Sequence, residues 1–459
     1  MVRTTLVAVL ALVSHPAPAQ SVAPELTPSV WQAKYSSERI ESLKQRLTAG
    51  NRNTDDFWQE VRRAGTPLVE PARPTDKHQL VTFVWRGSPD TRNVLVMINP
   101  FTLASPPDYL MTRLADTDVW YLTIRVPHGA RFTYQLSPND PLGSASTSSA
   151  QADPFNRNRW LCAADAPATR CFSIAELPEA PPQPWIAKNP SAKSGIVVQE
   201  KFKSDLLNNE RDVWIYEPPD YSASGAPCAL VVLFDGRAYN SIIPTPTILD
   251  NLYAARRIPR TIAVLVGDSD RGRDLIPTSE LAASIATELV PWIRARYHVA
   301  TDSRQVVIGG SSAGGFVAVY TALHHPDVFG SVLSQSGAYF RSPDFRNYGA
   351  NRAPAAVPGD GDRHDLEELM DRGVAETTGW LAKEVIDRPK LPLRFYLDAG
   401  LFEIDLTGSS IGILESTRHM RDVLLAKGYE VRYQMFVGGH DYVNWRGTLA
   451  DGLVTLIGK

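Results

Sequence analysis

A chain of 459 residues exceeds what one ordinary compact unit holds, so two domains are expected, with ample material for large cores. A formal net charge of −3 and a charged fraction of 21% offer no basic face for nucleic acid. The balance is that of a soluble enzyme.

The first residues join a charged start, Met1-Val2-Arg3, to an apolar core over residues 6–13 and a small-residue exit, Ala17-Pro18-Ala19. This is the pattern of a secretory signal peptide over residues 1–19. The apolar core is far short of the roughly 20 residues that span a bilayer, and no later stretch is a candidate span.

Helical spacing around Trp31, Tyr35, Ile40, Leu43, Leu47, Trp58 and Val61 predicts two short helices within residues 29–65. Strand-rich runs follow at 80–85, 93–98, 119–124 and 131–136, separated by Gly, Pro, Asn and Asp. Their spacing predicts a small β-sandwich of immunoglobulin-like topology, so that residues 25–177 form a helical segment plus a β-domain. Cys162 and Cys171 lie close together in a Pro/Ala-rich loop and are expected to pair in an oxidising compartment, whereas Cys228 opens an apolar strand as a core thiol. No spacing suggests a zinc site.

Residues 178–195 carry Pro178, Pro181, Pro182, Pro184 and Pro190 and read as a linker. Beyond it, over residues 196–459, strands at 212–216, 229–234, 261–266 and 305–308 alternate with helical patterning, including a helix through 281–296. That alternation predicts an α/β domain with a mostly parallel sheet covered on both faces.

At the end of the strand reaching Ile308 comes Gly309-Gly310-Ser311-Ser312-Ala313-Gly314-Gly315. The G-x-S-x-G spacing makes a nucleophile elbow, in which small flanking residues permit a strained turn that lifts the Ser312 hydroxyl to the sheet edge. The Ala313 N–H, opening the next helix, is one candidate oxyanion donor. Gly236 and Arg237, after the strand ending at Phe234, are candidates for the second, and the Arg237 charge could also meet an anionic substrate. An α/β-hydrolase orders its triad Ser, Asp or Glu, His. Here Gly438-Gly439-His440 follows a late strand, making His440 the base, while His324 and His325 sit at a helix end and read as structural. For the acid, Glu403 on the loop after Gly400 is preferred to Asp398 and Asp405, and a two-residue Ser–His arrangement stays open.

These residues resemble a known family. Gly310-Ser311-Ser312-Ala313-Gly314-Gly315, Leu333-Ser334-Gln335-Ser336-Gly337, the segment from Leu397 to Glu403 and Gly438-Gly439-His440-Asp441-Tyr442-Val443-Asn444-Trp445-Arg446 are similar to the enterochelin (enterobactin) esterases. Runs at 81–86, 114–120 and 153–156 look like that family's N-terminal β-domain. The resemblance implies an α/β-hydrolase that opens the trilactone backbone of ferric catecholate siderophores, releasing linear dihydroxybenzoyl-serine units. No cofactor is implied, iron arriving only within the substrate. A tris-catecholate is anionic, so Arg237, Arg271, Arg273 and Arg446 with Tyr239, Tyr339 and Trp445 are the expected substrate contacts. The chain departs from the family around 271–278, where Asp274 and Thr278 stand in place of Glu and Asn. The leader implies a periplasmic member, secretion being the alternative. Two other readings compete: the same fold acting on another ester, such as a feruloylated polysaccharide, and a siderophore-binding protein with a vestigial triad.

Overall fold

Alternating apolar side chains fold the first half of the chain into two facing sheets, as a computed structural model shows for residues 35–48, 53–72, 76–98, 106–114, 116–142, 149–161, 171–268, 275–341, 379–404 and 412–458. Helices α1 (Glu38–Thr48) and α2 (Asp55–Ala64) come first, packing Ile40, Leu43, Phe57, Trp58 and Val61 on the outside of the sandwich. The strands are β1 (Leu68–Pro71), β2 (His78–Arg86), β3 (Val94–Met97), β4 (Thr112–Arg113), β5 (Val119–Pro127), β6 (Arg131–Pro138), β7 (Arg159–Trp160) and β8 (Phe172–Glu176). Their order is β1-β2-β5-β4 in one sheet and β3-β6-β8-β7 in the other, with antiparallel pairing throughout. With β7 set aside as an addition, that is the immunoglobulin arrangement of ABED over CFG. Val81, Phe83, Val94, Val96, Leu122, Phe132 and Tyr134 from the two sheets make its core. Cys171 is disulfide-bonded and Cys228 is a buried free thiol; Cys162 lies outside the described residues.

No helix or strand forms over residues 178–195. Strands β9 (Ile196–Ser204), β10 (Asn209–Glu217), β11 (Ala229–Leu233), β12 (Thr261–Val266), β13 (Val306–Ser311), β14 (Ser331–Gln335), β15 (Arg394–Gly400) and β16 (Glu430–Phe436) then build one sheet, ordered β16-β15-β14-β13-β11-β12-β10-β9. Pairing is parallel from β12 to β16 and antiparallel at β10 and β9. Every residue of β11 to β14 is buried, as expected for parallel strands covered on both faces. This is the α/β-hydrolase order.

Helices α3 (Gly236–Ser241) and α4 (Thr245–Ala254) lie on one face with the C-terminal helix α10 (Tyr442–Ile457). The other face carries α5 (Ser279–Ala283), continued through a π-helical stretch Ser284–Leu289 into α6 (Val290–Arg294), then α7 (Ala313–His324), α8 (Trp380–Asp387) and α9 (Ile413–Ala426). The start of α5 is fixed by Thr278, whose hydroxyl accepts the Leu281 N–H at 3.1 Å. Strand β9 escapes the sequence pattern because it is an edge strand whose first four residues are solvent-exposed on both faces. Among the described residues, no helix is long and apolar enough to cross a membrane.

Candidate active site

Three parallel strands end on the same edge and deliver the three side chains that the sequence singles out. Ser312 follows β13, Glu403 follows β15 and His440 follows β16. Ser312 has φ 56° and ψ −120°, a conformation that costs a non-glycine residue on the order of 1–3 kcal/mol. Two features hold it there. Its N–H donates to the Gln335 carbonyl at 2.9 Å and its carbonyl accepts from the Ala338 N–H at 3.0 Å, tying both sides of the turn to the end of β14. The glycines are required by space: a Cβ on Gly310 would stand 2.8 Å from the Gly314 carbonyl carbon, and one on Gly315 would stand 2.5 Å from Ser334 Oγ.

His440 and Glu403 are paired. His440 Nδ1 lies 2.6 Å from Glu403 Oε1, and the other carboxylate oxygen, Oε2, accepts the Gly400 N–H at 2.5 Å. The Glu403 side chain is 1% exposed while that of His440 is 31% exposed. The carboxylate is thus sealed and fully bonded, and the imidazole keeps an outward nitrogen. With Nδ1 engaged as donor to the carboxylate, Nε2 is the imidazole nitrogen left to accept a proton. Trp445 sets the ring plane, standing edge-on to the imidazole with centroids 4.8 Å apart at 90°. Its indole N–H donates to Ser336 Oγ at 2.9 Å, so the His440 loop is fastened to the β14 end that also holds the Ser312 elbow.

Asp398 does not reach His440. It is fully buried within β15, with Oδ1 accepting the Ser336 N–H at 3.0 Å. Burial pushes its carboxyl up to about 8, opposed by the Thr448 hydroxyl and reinforced by the Glu403 charge. Asp405 lies outside the described residues.

The expected oxyanion donors stand at two adjacent helix starts. Ala313 opens α7, and Gly236 and Arg237 open α3; such first-turn N–H groups have no partner within their own helix. A Cβ on Gly314 would meet Phe234 Cβ at 3.1 Å and Asp235 Oδ2 at 3.2 Å, so the two turns are in contact.

The expected substrate contacts divide. Arg237 is exposed in the first turn of α3, whereas Arg271 and Arg273 lie outside the described residues. Tyr239 and Tyr339 are core residues instead of pocket walls: the Tyr239 hydroxyl donates to Gln335 Oε1 at 2.7 Å and that of Tyr339 to Ser334 Oγ at 2.6 Å. Apolar packing claims their rings, and burial raises both phenols. Trp445 is likewise buried, against His440. Arg446 is spent between the domains, its guanidinium 4.5 Å from the Trp160 ring centre and its Nε donating to Gln183 Oε1 at 2.7 Å. Burial, then the nearby Arg131 charge, lowers it to about 10.

Gln335, which the sequence offers only as part of the run Leu333-Ser334-Gln335-Ser336-Gly337 and with no role of its own, organises this edge. It accepts from Tyr239 on α3 and donates to the Trp445 carbonyl at 2.8 Å and Thr448 Oγ1 at 2.6 Å on α10. Beyond that run, its signal is a polar residue inside a buried strand end, one position before a second serine. Among the described residues, no group of three or more His, Cys, Asp or Glu could hold a metal ion.

The family described as "Putative esterase" matches residues 204–456, and "Enterochelin esterase, N-terminal" matches residues 80–186. An iron(III) salmochelin esterase of Escherichia coli is 28% identical, with 91% of this chain and 98% of the relative covered. An iron(III) enterobactin esterase of Dickeya dadantii is 28% identical, with 90% of this chain and 94% of the relative covered. Among solved structures, the enterobactin esterase of Shigella flexneri in the presence of enterobactin superposes with a TM-score of 0.62 at 25% identity, over 88% of this chain and 97% of that one.

Proposed function

Since this chain belongs to the enterochelin esterase family, we propose that it hydrolyses the trilactone backbone of a ferric catecholate siderophore, with Ser312 as nucleophile, His440 as base and Glu403 as the orienting acid. The observation that carries the assignment is the sealed Glu403–His440 pair on the same sheet edge as the strained Ser312 turn.

The chemistry follows from those positions. His440 Nε2 takes the Ser312 proton as Oγ attacks a lactone carbonyl, and Glu403 holds the tautomer and stabilises the imidazolium that forms. The Ala313 N–H with that of Gly236 or Arg237 meets the developing oxyanion. His440 then returns its proton to the departing seryl alkoxide, opening the ring. Water, deprotonated by the same imidazole, releases the acyl group from Ser312. Iron enters only as cargo of the substrate, and Arg237, exposed in the first turn of α3, is the cation we expect to meet the substrate's negative charge.

The N-terminal pattern of residues 1–19 supports a periplasmic setting, in which the ligand is cut soon after uptake. N-terminal sequencing of the protein recovered from a periplasmic fraction checks this; a chain still beginning at Met1 in the cytoplasm would refute it. For the activity, Ser312→Ala should abolish linear products from ferric enterobactin, read by chromatography, while leaving the thermal transition within a few degrees of wild type. Equal product from the variant would remove Ser312 from the mechanism.

A further inference from the structure

The β-sandwich touches the catalytic loops at points that a mere substrate-holding module would not need. Strand β6 begins beside the His440 loop: the Arg131 N–H donates to the Val437 carbonyl at 2.9 Å, and the Arg131 carbonyl accepts from Asn444 Nδ2 at 3.1 Å. Two residues on, the Thr133 hydroxyl donates to Asp441 Oδ2. Asp441 directly follows His440 and caps α10, its Oδ1 accepting the Val443 N–H at 3.1 Å. One sandwich hydroxyl therefore fixes the carboxylate on which the last helix starts, immediately beyond the base.

The acid loop is anchored in the same body. Phe402, adjacent to Glu403, is buried within the sandwich core, where its ring lies 6.3 Å from that of Phe132. Leu401 and Val437 pack against the same core. The two loops are joined to each other as well, through the Leu401 N–H to the Phe436 carbonyl at 2.8 Å and the Phe402 N–H to the Gly438 carbonyl at 3.0 Å. Position 438 has to be glycine for this approach, because a Cβ there would stand 2.6 Å from the Arg131 carbonyl and 2.4 Å from Asn444 Nδ2.

We propose that the N-terminal β-sandwich positions the catalytic base and acid, with Thr133 holding the His440 loop through Asp441 and the sandwich core holding the Glu403 loop through Phe402. This rests on the esterase reading only in so far as His440 activates Ser312. Thr133 touches no reacting atom and is a positioning residue. Its loss leaves the half-buried Asp441 carboxylate without its hydroxyl donor and frees the start of α10 to shift, and a displacement near 1 Å is enough to cost a catalytic group about a hundredfold.

The test uses the full chain carrying Thr133→Val, which keeps the shape and removes the donor, and Thr133→Ser, which restores the hydroxyl. The rate at which a fluorophosphonate labels Ser312 reads the Ser–His pair without any natural substrate; kcat and KM on a p-nitrophenyl ester are measured alongside. The expected result is labelling and kcat at least tenfold slower for Thr133→Val with KM unchanged, and recovery to within threefold for Thr133→Ser. Labelling of Thr133→Val within twofold of wild type, or Thr133→Ser as slow as Thr133→Val, would overturn the proposal. Should Thr133→Val not fold, Phe402→Leu takes its place, with slowing of at least tenfold expected and labelling within twofold of wild type overturning it. A wild-type protein that labels at Ser312 but leaves ferric enterobactin intact would defeat the substrate assignment and leave this test standing.

Discussion

Replacing Glu403 by Gln removes one charge and almost no volume, which makes it the sharpest probe of the catalytic pair. The carboxylate is sealed from water and sits 2.6 Å from His440 Nδ1. At an effective dielectric near 20, unit charges at that separation attract by about 6 kcal/mol, and delocalisation of both charges brings the figure to roughly 4–6 kcal/mol. That attraction exists only once the imidazole has taken the serine proton, so it lowers the barrier and leaves substrate binding alone. At about 1.4 kcal/mol per decade, kcat should fall by roughly 10³–10⁴, the scale seen when a triad acid is replaced by its amide in serine proteases. Gln can still accept the Gly400 N–H, so folding should survive. The assay is p-nitrophenol release from a short acyl ester, with product analysis on the trilactone and a thermal melt to certify the fold. Asp398→Asn is the matched control, expected to keep kcat within a fewfold. Glu403→Gln retaining more than a tenth of wild-type kcat while Asp398→Asn loses it would refute the reasoning and move the acid to Asp398.

Asp398 also carries a stability prediction whose sign follows from its raised pKa. Its folded value of about 8 lies above the ordinary 3.8, so folding keeps a proton that the unfolded chain releases, and stability from this site falls as pH rises from about 4 to about 8. Asn cannot ionise; the melting temperature of Asp398→Asn relative to wild type should therefore climb across that window, by about 1.4 kcal/mol of stability per pH unit at most. Parallel Tm curves from pH 5 to 8 would show that the carboxyl is already ionised in the native state. Tyr239→Phe removes the donor to Gln335 Oε1 inside the core, and is expected to cost about 1 kcal/mol in denaturant unfolding with KM for the trilactone unchanged. A tenfold rise in KM with unaltered stability would return Tyr239 to the pocket.

Local chemistry makes the proposed nucleophile Ser312 and base His440 legible. The G-x-S-x-G run demands a strand-to-helix turn, and glycines before His440 at a strand end announce a second one; both lie where parallel strands stop. Glu403 is favoured on reach, because a glutamate on a loop extends further than Asp398 inside its strand, and it is Glu403 whose Oε1 lies 2.6 Å from His440 Nδ1. The aromatic residues misled for a physical reason. Tyr239, Tyr339 and Trp445 have both an apolar body and a polar tip, and sequence cannot tell whether the tip meets a ligand or a buried neighbour such as Gln335, Ser334 or Ser336. Arg446 was ambiguous in the same way, its partners Trp160 and Gln183 being some 260 residues or more away along the chain. Contacts between the domains, such as Thr133 to Asp441 and Arg131 to Val437, leave no periodic trace because they join single groups far apart along the chain. The edge strand β9 was missed because exposure on both faces erases the alternation by which a strand is recognised.

The insertion of Phe402 into the sandwich core means that the smaller lobe has no complete interior of its own. Its melting would pull a plug from the loop that carries the catalytic carboxylate, so heat inactivation and loss of the first lobe should arrive as a single event. A protease that severs residues 178–195 would, for the same reason, leave two fragments still gripping one another. What looks along the chain like an accessory module followed by an enzyme is, in space, one machine assembled from both.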